Sequence, residues 1–207
     1  MAEETAQSER TLQGLIDLTA EERLCAVVDA CKDDGALTAQ PRDEGKKDVR
    51  TLFQGPMAPR LGHVAPYVVP IDPESDYLEK WQWRWGTSAG ILIVVPANVD
   101  MDALWAHLRA IFVAEDEAGT EYFFRYYDPR VLRVYLPTCT VEEAAELFGP
   151  IRRMIVESAE GDAALICSPG VDGALLDEHA FARAQPPAEE SEPGEPAEGE
   201  EAADETA

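Results

Sequence analysis

The sequence predicts an α/β fold of the α+β type, a single domain in which a mixed central β-sheet is flanked by helices. Two apolar runs rich in β-branched residues, LCAVVDA from residue 24 and GILIVVP from residue 90, resemble buried strands. The first run also has helical spacing, so a helix is its alternative. Residues 100 to 114 show the most regular helical periodicity, and that apolar face needs a sheet to cover it. At 207 residues the chain is long enough for one sizeable core.

Residues 121 to 127, EYFFRYY, are aromatic on both faces, which predicts a central strand covered on both sides. Asp128 follows, and its carboxylate is suited to accept the free N–H groups of a first helical turn. Pro129 fits the first helical position, where no amide donor is missed. We therefore predict a strand that turns at once into a short helix over residues 129 to 136.

The remaining elements follow from periodicity and from helix-capping residues. Thr140 begins a capping box with Glu143, and Gly149 ends the helix that the box opens. Other predicted elements are a helix over 8 to 18, a strand over 66 to 70, a helix from Ser75 to Gly86, a hairpin with strands 153 to 158 and 163 to 168, and a short helix before residue 185.

The chain is strongly acidic, with 41 acidic and 17 basic residues and a formal net charge of -24. This charge argues against nucleic acid and anionic membrane surfaces as partners, since both would repel it. Residues 186 to 207 hold nine acidic residues, no basic residue and no large apolar residue. Such a segment cannot offset its ordering entropy, so we expect a disordered acidic tail.

Cysteine usage and the N-terminal residues predict a cytoplasmic protein without membrane insertion. The four cysteines, at 25, 31, 139 and 167, form no C-x-x-C pair and lie mostly among apolar residues, so we expect four free thiols. The first ten residues lack the basic and apolar regions of a signal peptide. No apolar run approaches the ~20 residues that span a bilayer.

No catalytic or metal-binding motif stands out. His63, His107 and His179 are scattered, and none has another histidine or a cysteine at a metal-ligand spacing. The chain contains no P-loop, no G-x-G-x-x-G and no G-x-S-x-G. We therefore expect no metal, no cofactor and no enzymatic activity.

Two groups of residues are candidates for partner binding. Arg125 and Arg130 flank Asp128, and this cluster could bind an anionic group, although such clusters more often cap a helix and pair locally. Trp81 and Trp85 share the apolar face of a predicted helix, which leaves Trp83 as an exposed aromatic. Tryptophan and arginine dominate binding hot spots. The predicted partner-binding residues are Trp83, Arg84, Arg125, Asp128 and Arg130.

The order of several motifs resembles a known family. The pieces APYVV from residue 65, HLR from residue 107, FRYYDPRVL from residue 124 and FGPI from residue 148 are the most specific. Together with LCAVVDAC and WRWGTSAGILIVVP, they resemble the bacterial domain of unknown function found in type VI secretion effector chaperones, also called adaptors. The resemblance covers residues 24 to 151, with a weak match over 32 to 52, and the acidic tail lies outside the family pattern.

The resemblance implies an organisation and a function. It implies an effector-adaptor domain (23–152), and the elements predicted above add an N-terminal helical segment (1–22), a C-terminal extension of hairpin and short helix (153–185), and the tail (186–207). It further implies a non-enzymatic adaptor that binds a toxic effector and helps to load it onto the VgrG spike. One alternative is an enzyme or ligand-binding domain that uses the Arg125, Asp128 and Arg130 cluster on an anionic small molecule. Another, suggested by charge alone, is an acidic immunity or inhibitor protein.

Overall fold

The computed structural model describes residues 11–39, 48–115 and 118–181, and within them the chain forms nine strands and six helices. The strands are β1 (Glu22–Asp29), β2 (Arg50–Thr51), β3 (Pro66–Ile71), β4 (Gly90–Pro96), β5 (Val113–Glu115), β6 (Glu121–Phe123), β7 (Arg153–Glu157), β8 (Ala163–Gly170) and β9 (Gly173–Ala180). The helices are α1 (Leu12–Ile16), α2 (Met57–Leu61), α3 (Tyr77–Trp83), α4 (Met101–Ala110), α5 (Pro129–Tyr135) and α6 (Val141–Phe148).

Seven of the strands form one sheet in the order β2-β3-β1-β4-β7-β8-β9. Neighbouring strands in this sheet pair antiparallel throughout the described residues. The α+β fold class and the single domain are confirmed. The sequence predicts a mixed sheet, and this part of the prediction is wrong. Parallel strands need crossover connections, and the pairs of neighbouring strands in the observed sheet are all antiparallel within the described residues.

Helices cover both faces of the sheet and create two apolar cores. The central strands β1 and β4 alternate between the two cores: Val27 and Ile93 point to one, and Val28 and Leu92 point to the other. Helices α4, α5 and α6 pack in the first core, and α1 and α3 pack in the second. Burial on both faces explains why these strands read as continuous apolar runs. The predicted strands at LCAVVDA and GILIVVP are therefore confirmed.

Gly90 permits the close pairing of β1 with β4. Its φ is +151°, and a Cβ at this position would lie 2.1 Å from the carbonyl oxygen of Val27. A side chain would therefore collide with the backbone of the neighbouring strand.

The predicted central strand over residues 121 to 127 is wrong. Only Glu121–Phe123 is extended, and it pairs with β5 in a separate two-stranded ribbon whose β6 residues are exposed. The chain then turns, and Tyr126 enters the core, where it is fully buried and its hydroxyl donates to the carbonyl oxygen of Leu108 at 2.8 Å. Tyr126 and Tyr127 are thus buried by a turn and not by a sheet, whereas Tyr122 and Phe123 are exposed.

The predicted helix caps are confirmed. The Asp128 side chain accepts a hydrogen bond from the backbone N–H of Arg130, and Pro129 is the first residue of α5. Thr140 and Glu143 form both hydrogen bonds of a capping box at the start of α6, and Gly149 follows its last residue. These local signals place two consecutive helices between the ribbon and β7.

Two other predicted helices are shorter than expected. The helix predicted from residue 75 to 86 spans Tyr77–Trp83. The helix predicted over 100 to 114 ends at Ala110, because the chain continues into strand β5 at Val113.

The C-terminal part of the described chain completes the main sheet. The predicted hairpin is confirmed as β7 and β8. The short helix predicted after it is wrong, because Gly173–Ala180 forms the edge strand β9. An edge strand that is half exposed lacks the continuous apolar run of β4, so its composition does not distinguish it from a helix.

The remaining predictions concern the two ends of the chain, the cysteines and membrane insertion. The predicted N-terminal helix is confirmed over Leu12–Ile16, and residues 1–10 lie outside the described ranges. The predicted disordered tail, 186–207, also lies outside them. The four cysteines are free, and within the described residues no helix is long and apolar enough to cross a membrane.

Candidate functional site

The structure brings Arg125, Asp128 and Arg130 together and adds a fourth residue, Asp29, from the end of β1. Arg125 Nη2 lies 2.8 Å from Asp29 Oδ2 and 3.4 Å from Asp128 Oδ2. Arg130 contacts both oxygens of Asp128, with Nε at 2.9 Å from Oδ1 and Nη2 at 2.7 Å from Oδ2. We call these four residues the ion-pair cluster. It fastens the start of α5 to the central strand β1.

The two carboxylates of the ion-pair cluster are buried, whereas the two guanidinium groups are partly exposed. Asp29 and Asp128 are 2% and 3% exposed. Burial by itself would raise the pKa of Asp128, but hydrogen bonds from the side chain and backbone of Arg130 outweigh it, so this pKa lies below its ordinary value. Two cations balance two anions, and the cluster has no net charge with which to attract an anionic ligand.

Trp83 and Arg84 do not join the ion-pair cluster. They lie at the end of α3, which packs on the other face of the sheet from α5. Arg84 pairs with Asp34. Trp83 is only partly exposed, so the prediction of a solvent-facing tryptophan is wrong. A partner-binding role for these two residues stays a prediction.

Trp81 and Trp85 are buried in the second core, as their periodicity predicts. Trp85 packs edge-on against Phe181, with ring centroids 5.1 Å apart. Trp81 and Trp85, which flank Trp83 along the chain, therefore contribute to folding.

The residues of the HLR motif make structural contacts. His107 Nε2 lies 3.1 Å from the carbonyl oxygen of Leu147, and burial lowers the pKa of His107 below its ordinary value. A Cβ at Gly149, whose φ is +47°, would lie 2.3 Å from the His107 ring, so the glycine lets α4 approach the end of α6. Arg109 stacks over Trp105, with its guanidinium carbon 4.8 Å from the ring centroid.

The described residues contain no group of three or more histidine, cysteine, aspartate or glutamate side chains that could hold a metal ion. Burial raises the pKa of Cys25 and of Cys167 to about 12, so these two thiols are poor nucleophiles near neutral pH.

A different surface stands out once the side chains are placed. Val134 is 73% exposed, Phe123 is 60% exposed and Val113 is 42% exposed. Val113 and Phe123 are directly opposed in the β5–β6 ribbon, so their side chains share one face of it. We define the Phe124 surface as the six residues Val113, Phe123, Phe124, Val131, Val134 and Tyr135.

Two adjoining clefts shape the Phe124 surface, and both are lined by Phe124 and Tyr135. The rings of these two residues lie 4.9 Å apart, edge to face. The first cleft has a volume of about 120 Å³ and lies between the ribbon and helices α5 and α6. The second is more open and is bordered by Val131 and Val134 of α5.

Acidic side chains border the first cleft. Glu143 and Glu146 line it from α6. Glu143 also accepts a hydrogen bond from the backbone N–H of Thr140 at 2.8 Å, which fixes its position. Within the described part of the chain, neither carboxylate forms an ion pair. The cleft therefore combines apolar walls with negative charge.

The sequence carries a signal for the Phe124 surface. Leu132 of α5 and Leu136, which directly follows the helix, are spaced four residues apart and are buried in the first core. Val131, Val134 and Tyr135 form a second apolar stripe at i, i+3 and i+4 along the same helix. A short helix with two apolar stripes presents one of them outside the core, because only one can face the sheet.

The fold and site thus define an α+β domain with an apolar, acid-bordered surface along one helix. A family model described as a domain of unknown function (DUF4123) matches residues 24–146, more than half of the chain, and the chain belongs to this family. The matched residues include most of β1, all of β4, the ion-pair cluster and the whole Phe124 surface, whereas β7 to β9 lie outside the match. No curated protein and no solved structure matches the chain.

Proposed function

We propose that this chain is an adaptor for a type VI secretion effector. It binds a toxin in the cytoplasm of the producing cell, helps to load the toxin onto the VgrG spike, and catalyses no reaction itself. The observation that carries the proposal is membership of the DUF4123 family over residues 24–146. Most of the motifs that resemble effector adaptors lie within these residues.

The Phe124 surface supports a binding role. Large apolar side chains that stay in water give the isolated fold no stabilisation, and contiguous exposed apolar patches mark interaction sites. Phe123 and Val134 are more than half exposed although the chain has two well-filled cores on either side of the sheet. A protein partner that covers these residues would remove their apolar area from water.

The contacts of the ion-pair cluster support a structural role over a catalytic one. An enzyme acting on an anionic small molecule needs cations that are available to the substrate. Here Arg125 and Arg130 are each held by a buried aspartate at 2.8 Å or less. The cluster therefore serves to hold α5, and with it the Phe124 surface, against the sheet.

The proposal is tested by recovering the tagged chain from its native host and identifying the proteins that accompany it by mass spectrometry. We expect a toxin and VgrG. The toxin is then purified and titrated against the chain in a calorimeter. In parallel, deletion of the gene should abolish secretion of this toxin and leave the secretion of other effectors intact.

Two results would overturn the proposal. One is unchanged secretion of every effector in the deletion strain. The other is a chain that binds neither a toxin nor VgrG when the purified components are mixed.

A further inference from the structure

Five of the six residues of the Phe124 surface, all but Phe123, line two adjoining clefts. Val171 is 91% exposed and Leu175 is 54% exposed, but they belong to the last turn and the edge strand of the sheet. On the Phe124 surface, the two clefts lie on either side of a shared pair of aromatic rings, Phe124 and Tyr135. A single partner segment can therefore cover both.

The first cleft has the size of one large apolar side chain. A dry apolar cavity of ~150 Å³ in another protein is large enough to take up benzene. The first cleft, of about 120 Å³, is lined by Ile111, Val113 and Leu147 and by the rings of Phe124 and Tyr135. A leucine, isoleucine or phenylalanine from a partner would meet apolar atoms there on several sides.

The charges around the first cleft determine which residues are favoured next to the inserted side chain on the partner. Glu143 and Glu146 border it without a basic partner in the described part of the chain. Arg130, which borders the second cleft, is neutralised by Asp128. The potential at the first cleft is therefore negative, and lysine or arginine on the partner would be favoured.

We propose that the Phe124 surface is the docking site of the toxin, and that the docked segment inserts one large apolar side chain flanked by lysine or arginine. The identity of the partner as a toxin rests on the proposed function. A second copy of this chain is disfavoured as the occupant, because two molecules of net charge -24 repel each other.

The test uses purified full-length chain and the purified toxin recovered with it, and measures the dissociation constant by calorimetry. Val134→Lys places a charge in the middle of the apolar surface, and Glu146→Lys reverses the charge at the cleft. Truncation of a central anchor typically weakens binding by about thirtyfold or more, so we expect a loss of this size for Val134→Lys. We expect about tenfold for Glu146→Lys, and a smaller loss at high salt.

Matched controls separate a local effect from a general one. Leu175→Lys changes an apolar residue that is half exposed on the edge strand β9, and Glu79→Lys reverses an exposed charge on α3, on the other face of the sheet. Both should bind like the parent. Circular dichroism checks that every variant is folded, and a lysine-to-glutamate change in the toxin segment should restore binding to Glu146→Lys.

The outcomes distinguish this inference from the proposed function. If the parent chain binds the toxin and both surface variants bind it equally well, the docking site is elsewhere and the adaptor role stands. If the parent chain binds no toxin, both proposals fail. A dimer of the parent that dissociates on Val134→Lys would show that a second copy occupies the surface, and would overturn the inference.

Discussion

The ion-pair cluster and the Phe124 surface both include residues of the segment 123–135, but the environments of their side chains are opposite. In the cluster, buried Asp29 and Asp128 find their partners inside the molecule. On the surface, Phe123 and Val134 are left in water. The charged side chains of the cluster thus have their partners within the isolated chain, whereas the exposed apolar side chains of the surface are not covered by any part of it that the structure describes. A change in the first should affect stability, and a change in the second should affect binding.

Asp128→Ala should have the largest effect on the free energy of unfolding. The substitution removes the N-cap of α5, which typically costs about 0.5 to 2 kcal/mol. It also leaves Arg130 without its partner. Urea unfolding monitored by circular dichroism measures the loss. A variant as stable as the parent that no longer binds the toxin would instead make Asp128 a contact residue.

The contribution of Asp128 should depend on pH in a defined direction. Its pKa in the folded chain is below its ordinary value, because the hydrogen bonds from Arg130 outweigh the opposing effect of burial. A carboxyl group of this kind stabilises the fold above its unfolded pKa of ~3.9, and the stabilisation is lost as the pH falls through the folded pKa.

We therefore expect the stability difference between the parent and Asp128→Asn to be constant near neutral pH and to shrink below about pH 4. Urea titrations of both proteins between neutral and acidic pH measure it. A difference that stays constant down to the acid transition would mean that the carboxylate charge contributes nothing.

Val134→Lys should leave the fold intact. Exposed substitutions away from caps and cores usually change stability by no more than ~0.5 kcal/mol, and Val134 is 73% exposed on α5. The same change should reduce the fluorescence of a dye that binds apolar surfaces. Thermal unfolding and dye titration provide the two measurements. A marked loss of stability would place Val134 among the residues that hold α5 to the sheet.

If the toxin docks on the Phe124 surface and not at the residues that the sequence predicts, Trp83→Ala should have the smallest effect on toxin binding. Trp83 lies on α3, on the other face of the sheet from the Phe124 surface, and it is only partly exposed. We expect a dissociation constant within about twofold of the parent value, since residues outside a docking site cost little on truncation. Calorimetric titration measures it. A loss of tenfold or more would move the binding site to α3.

Local chemistry determined much of the fold from the sequence alone. The central residues of β1 and β4, 24–28 and 91–95, form continuous apolar runs because both faces of the sheet are covered there. Asp128 and Thr140 cap helices with hydrogen bonds to residues two or three positions away. Such interactions depend on the neighbouring sequence and can be predicted from it.

Contacts between distant residues were decided only by the tertiary structure. Residues 121 to 127 have the composition of a central strand, but the central strands of the main sheet are formed by other segments. Tyr126 is buried instead by a turn, and its hydroxyl contacts Leu108. Arg125 finds Asp29, which is 96 positions away in the sequence. The Phe124 surface likewise needs the ribbon, α5 and α6 in place. Composition indicates that contacts with apolar or charged residues are favourable for such side chains, but the packing of the whole chain determines which residues they contact.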